Sequence, residues 1–152
     1  MANVRTIIFL FLMGLFSQAS CKKDNPQPPD VDVVKLTAKS WKFESGTISP
    51  NYKGSAVLST DVLPECSRDN VVTYKLDYTV ESQEGNLKCR ENSVINGTWG
   101  VNTDKKSMYV KLSSEYMNKL EYVEVSDSTL KYRYSWTNID GTFTIFYKFK
   151  AI

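Results

Sequence analysis

The chain contains no histidine, and that absence excludes more than any residue it does contain. Imidazole is the commonest general base, so Ser-His-Asp and Cys-His nucleophile arrangements are both removed. Three cysteines without a histidine are a poor set for zinc, and neither a metal nor a cofactor is expected. Glycine is scarce, and Gly97 and Gly100 bracket a tryptophan within a strand-like segment rather than forming a phosphate-cradling loop. No apolar run reaches the roughly 20 residues that span a bilayer; Ile7–Phe16, broken only by Gly14, stops at about half that length. Neither sign of charge dominates, with 19 Lys and Arg against 17 Asp and Glu. That balance argues against a nucleic-acid partner, which would need a basic face. Asp104-Lys105-Lys106 reads as a solvated turn, and Asp69, Glu81 and Asp104 are carboxylates that no motif brings together. No catalytic residue is expected, and the chain reads as a non-enzyme.

What is present begins with the amino-terminal segment. Arg5, the short apolar run and the small pair Ala19-Ser20 have the layout of a secretory signal with a small-residue cleavage site. Cys21 stands at the cut and resembles the lipidated cysteine of bacterial lipoproteins, although Gln18 occupies the place where such signals usually carry an aliphatic residue. Cys21-Lys22-Lys23-Asp24-Asn25 is similar to the export signal of Bacteroidetes lipoproteins carried to the outer face of the outer membrane. Residues 1–20 are therefore expected to be removed, with Cys21 acylated. Two or more chains would hold the protein stably on the membrane, at about 0.8 kcal/mol per buried methylene. Loss of Arg5 with the signal leaves 18 basic against 17 acidic residues. From residue 21 to 34 the chain is polar and carries Pro26, Pro28 and Pro29, the composition of an extended tether.

Residues 35–152 form one domain by length, long enough to bury a core. Its dominant pattern has period two, the mark of half-buried strands. In Leu130–Trp136 the apolar and aromatic residues alternate with Lys131, Arg133 and Ser135. Asn138-Ile139-Asp140-Gly141 then reads as a tight turn into Phe143, Ile145, Tyr147 and Phe149. Further strands are expected over 41–48, 71–76, 95–101, 106–113 and 120–126. A short helix fits Val31–Ser40, capped by Asp30 or Asp32, and another helical turn fits Ser114–Asn118. Seven or eight short strands joined by turns predict an all-β sandwich or barrel, with an up-and-down barrel the simplest topology.

Several residues carry a family resemblance in this order: Leu36…Trp41-Lys42-Phe43, Cys66-Ser67-Arg68-Asp69, Tyr74, Cys89 and Asn96-Gly97-Thr98-Trp99. The series resembles the lipocalin-like domains of Bacteroidetes lipoproteins and spans nearly all of 35–152. It implies an eight-stranded lipocalin-like barrel. One departure is Asp77-Tyr78, where such domains often have Asp-Gly in the turn. With Cys21 set aside, Cys66 and Cys89 form an even pair in an oxidising compartment, so a disulfide is expected. A two-residue turn at Asp77-Tyr78 opposes positions whose numbers sum to 155, as 66 and 89 do. A turn at Glu84-Gly85-Asn86 would instead separate the cysteines along the ladder, so the bond requires either the first register or a loop at 64–70 folded back.

Trp41, Phe43, Tyr74, Trp99, Tyr132, Tyr134, Trp136 and Tyr147 should mostly face inward. They then either fill a small barrel or line a ligand cavity. Gly97 and Gly100 are expected to leave room for the Trp99 indole. Asp127-Ser128-Thr129 resembles a Bacteroidetes O-glycosylation motif, and Asn96-Gly97-Thr98 matches an N-glycan acceptor of little meaning for a bacterial envelope protein. The expectation is a monomeric protein, lipid-anchored in the bacterial outer membrane, on either its cell-surface or its periplasmic face. It would bind a small hydrophobic or amphipathic ligand, or act as an accessory envelope protein through its outer surface.

Overall fold

A computed structural model describes residues 30–50, 62–112 and 117–152. The signal segment, Cys21, most of the tether and most of the helical turn expected at Ser114–Asn118 lie outside the described residues. A helix α1 (Val33–Thr37) precedes eight strands: β1 (Ser40–Ser49), β2 (Val71–Tyr74), β3 (Thr79–Gln83), β4 (Val94–Val101), β5 (Met108–Leu112), β6 (Asn118–Val125), β7 (Thr129–Asn138) and β8 (Gly141–Ala151). Each strand pairs antiparallel with the next, and β8 returns to β1 from Trp41↔Ala151 to Ser49↔Thr144. This is the closed up-and-down barrel, and closure leaves no unpaired edge.

α1 is shorter than the sequence suggests, and only Asp32 caps it, its carboxylate accepting from the Lys35 amide at 3.0 Å. The strand β3 carries a single aliphatic residue, Val80, in Thr-Val-Glu-Ser-Gln, and no period-two signal announces it. The β7–β8 hairpin has the expected form. Asn138 pairs with Gly141, whose φ of +127° suits glycine, and the inward pairs Tyr132↔Tyr147 and Trp136↔Phe143 are aromatic. Its outer face is less simple: Lys131 is exposed, but Arg133 is only half-buried because the Tyr122 ring lies 3.3 Å over its guanidinium. Tyr122 stands at a bulge in β6, between Glu121 and Glu124, with φ of +52°.

The turn between β2 and β3 differs from the expected two-residue form. The Tyr78 amide donates to the Lys75 carbonyl and the Lys75 amide to the Thr79 carbonyl, so Leu76, Asp77 and Tyr78 all lie in the loop. Tyr78 takes the left-handed position, φ +63°, that Asp-Gly would fill without strain. Asp77 holds the turn by accepting from the Thr79 amide (3.0 Å) and hydroxyl (2.6 Å), and these bonds lower its pKa. The extra loop residue shifts the ladder to Tyr74↔Val80, so opposed numbers sum to 154, and pairing ends at Val71↔Gln83. The register therefore does not join Cys66 to Cys89.

They are joined all the same, with α-carbons 5.2 Å apart. A 3-10 turn at Glu65–Ser67 folds back against the β3–β4 loop. Asp69 is the clamp: its carboxylate accepts the Asn86 amide at 2.7 Å and the Leu87 amide at 3.3 Å, while Asn70 accepts the Gly85 amide at 3.2 Å. A β-carbon on Gly85 would lie 2.2 Å from the Asp69 carboxyl carbon, so glycine is required by close approach. The bend at Glu84-Gly85-Asn86 and the disulfide, alternatives along a simple ladder, thus coexist.

Candidate functional site

The barrel interior has two halves of different character. The lower half is the end carrying α1 and the 75–78, 102–107 and 126–128 turns. There Leu36, Trp41, Trp99, Met108, Val123 and Leu130 are 0–1% exposed and pack into a solid layer. Trp41 seals that end, its indole N–H donating to the Leu36 carbonyl at 2.9 Å and so tying α1 across the barrel. Trp99 donates to the Lys75 carbonyl at 3.0 Å and lies between Tyr74 and Tyr78, each 5.6 Å away between ring centroids. A buried tryptophan needs such a partner for its N–H.

The two glycines beside Trp99 serve the neighbouring strand rather than the indole. A β-carbon at Gly97 would lie 2.0 Å from the Lys111 carbonyl oxygen, and one at Gly100 would lie 2.5 Å from the Tyr109 hydroxyl. Gly97 lets the β5 backbone approach, and Gly100 accommodates the Tyr109 ring. The 102–107 turn at this end is the solvated one that its charges suggested. Asp104 accepts the Lys106 and Ser107 amides (2.8 and 2.9 Å) and the Ser107 hydroxyl (2.7 Å), which hold its carboxyl below the usual range.

The upper half is hollow. A cavity of about 320 Å³ is lined by Tyr74, Tyr132, Tyr134, Tyr147 and Phe149 together with aliphatic side chains such as Val72, Val80 and Leu120, with Asn118 near its upper end. Alternation along each strand accounts for the lining, because every residue named here falls on the inward face. The rings brace one another: Tyr132 lies 5.3 Å from both Tyr147 and Phe149, and Phe43 meets Phe149 edge-on at 5.9 Å. Burial raises the pKa of Tyr74 and Tyr132, and that of Tyr147 to about 12, so all three phenols stay protonated at neutral pH.

The eight aromatics singled out from sequence therefore divide. Trp41 and Trp99 are core. Phe43 supports the cavity wall, and Trp136 packs on Phe143 at 5.4 Å and on Tyr134 at 6.4 Å without joining the lining. Tyr74, Tyr132, Tyr134 and Tyr147 face the cavity. The aliphatic wall and Phe149 went unremarked among the candidates, although period-two spacing placed Phe149 on that face. Among the described residues no group of three or more Cys, Asp or Glu is arranged to hold a metal ion.

A second concavity, about 400 Å³, lies on the outside across β6, β7, β8 and β1, with Tyr122 and Phe146 among its lining. Its charges are already paired, Arg133 with Glu121 (3.4 Å), Lys131 with Glu124 (3.9 Å), and Lys148 at its edge with Glu44 (2.8 Å). At the foot of the barrel Asp127 and Ser128 are exposed in the β6–β7 turn, where Lys35 approaches the Asp127 carboxylate at 3.5 Å.

Among known proteins, no curated sequence matches the chain. A solved structure of a DUF4847 family protein from Bacteroides vulgatus aligns with 74% of this chain and 93% of its own, at 10% identity and a TM-score of 0.42. A family model for the lipocalin-like domain matches residues 37–132, more than half of the chain, from the end of α1 into β7. The closed eight-stranded barrel, its plugged lower end and this match agree: the chain belongs to the lipocalin-like domain family.

Proposed function

We propose that this protein is a lipid-anchored, non-catalytic component of a bacterial cell envelope, and that its barrel binds a small apolar or amphipathic ligand. The interior cavity carries the reading. It is concave and mostly apolar, with a few hydroxyls at fixed places, and its volume lies at the lower end of the range typical of small-molecule sites. The absence of histidine supports a binding role over catalysis. Mass spectrometry of organic extracts from the protein purified from its native host should detect a co-purifying small molecule. Tyr134→Ala should lose that molecule while remaining folded. Extracts free of any ligand would favour the second reading, an accessory envelope protein acting through its surface, for which the outer concavity with exposed Tyr122 and Phe146 is the relevant feature.

Anchoring rests on the apolar run, Ala19-Ser20 and Cys21. Replacing Cys21 by Ala should move the protein from the detergent phase to the aqueous phase on partitioning. Unchanged partitioning would remove the lipoprotein reading and, with it, the assignment to the outer membrane.

A further inference from the structure

We propose that the barrel cavity selects an uncharged ligand bearing a hydrogen-bond acceptor, such as a cyclic or aryl ketone, and rejects carboxylates of the same size. The inference rests on the reading that the cavity binds a ligand, and adds which chemistry it accepts.

Two observations carry it. First, the described residues lining the cavity include no Lys, Arg, Asp or Glu. A carboxylate brought there would lose its hydration without gaining a cation, which ordinarily forces the group to take up a proton or stay out. Arg68 directs its Nε–H to the carbonyl of Leu63, a lining residue, at 3.0 Å, without itself joining the lining.

Second, the phenols of Tyr74, Tyr132, Tyr134 and Tyr147 all line this one cavity, and among the described residues none of their hydroxyls is a solvent-inaccessible atom left without a partner, so they offer donors to the cavity space rather than to the packed wall. A phenol is a better donor than acceptor, so the complementary group on a ligand is an acceptor such as a carbonyl oxygen. The raised pKa values of Tyr74, Tyr132 and Tyr147 keep those three donors intact through neutral pH and into the alkaline range. The stacked rings and aliphatic wall suit a flat body of about two or three fused rings in a pocket of this size.

The test compares acetylnaphthalene, naphthoate and naphthalene by calorimetry with the full-length protein in detergent at neutral pH. Acetylnaphthalene is expected to bind at least tenfold more tightly than naphthoate. Naphthoate should gain affinity only as pH falls toward its own carboxyl pKa, where it becomes neutral. Tyr74→Phe, Tyr132→Phe and Tyr147→Phe keep the rings and remove one donor each. At least one should weaken the ketone by roughly three- to tenfold, the size of one net hydrogen bond, and leave naphthalene unchanged. Naphthoate binding as tightly as the ketone at neutral pH would overturn the charge preference. Ketone affinity unchanged in all three variants would overturn the donor assignment. Failure of all three probes, naphthalene included, would overturn the ligand-binding reading itself.

Discussion

Trp99→Ala should lower the unfolding free energy by about 3–5 kcal/mol, as for other fully buried aromatics, and shift the denaturant midpoint accordingly. The indole is 0% exposed, so truncation leaves a void in the packed lower half of the barrel. It also takes from the Lys75 carbonyl one of its two donors, leaving the Tyr78 amide, and removes the ring against which Tyr74 and Tyr78 rest. Trp99→Phe separates the contributions, because it keeps most of the volume and loses the hydrogen bond. Its cost should be clearly smaller. A near-wild-type midpoint for Trp99→Ala would refute the assignment of this residue to the core.

Removing the disulfide as the double variant Cys66→Ala, Cys89→Ala should cost about 3 kcal/mol, the value expected for closing a loop of this length in the unfolded chain. The cysteines are 23 residues apart in sequence. Thiol labelling of denatured, unreduced wild type should find both blocked, and two reactive thiols would contradict the bond. The native loop should nevertheless hold its place in the double variant, since the Asp69 carboxylate still receives the Asn86 and Leu87 amides. A smaller loss than expected would mean that the reduced unfolded chain is already constrained there.

Much of the architecture was legible in the chain because a strand writes its two faces as alternating residues. Leu130–Trp136 and Phe143–Phe149 specified a hairpin with its turn at Asn138–Gly141, and the barrel places Leu130, Phe143, Ile145 and Phe149 inside as that alternation requires, with Phe146 on the outer face. Cys66 and Cys89 were legible as a pair by parity alone. β3 was not, because only Val80 marks its inward face with an aliphatic side chain and Ser82 is buried as a polar residue.

Other features depend on contacts between segments distant in sequence. The register after β2 turned on whether Tyr78 belonged to the strand or to the loop. Its left-handed backbone follows from the Trp99 ring and amide holding it, contacts made 21 positions away along the chain. Likewise Asp69 looked like one loose motif position among several until Gly85 came close enough to expose its loop amides to the carboxylate.

By itself, then, the sequence determined the all-β class, the inward faces of its clearest strands and the cysteine pair, all of which are written locally in residue type and spacing. The tertiary structure decided that Trp41 and Trp99 plug one end while Tyr74, Tyr132, Tyr134 and Tyr147 border a cavity at the other. Period two says which way a side chain points. It does not say how far up the barrel the side chain lies or what meets it there, and those follow only from closing eight strands on one another with α1 tied across one end.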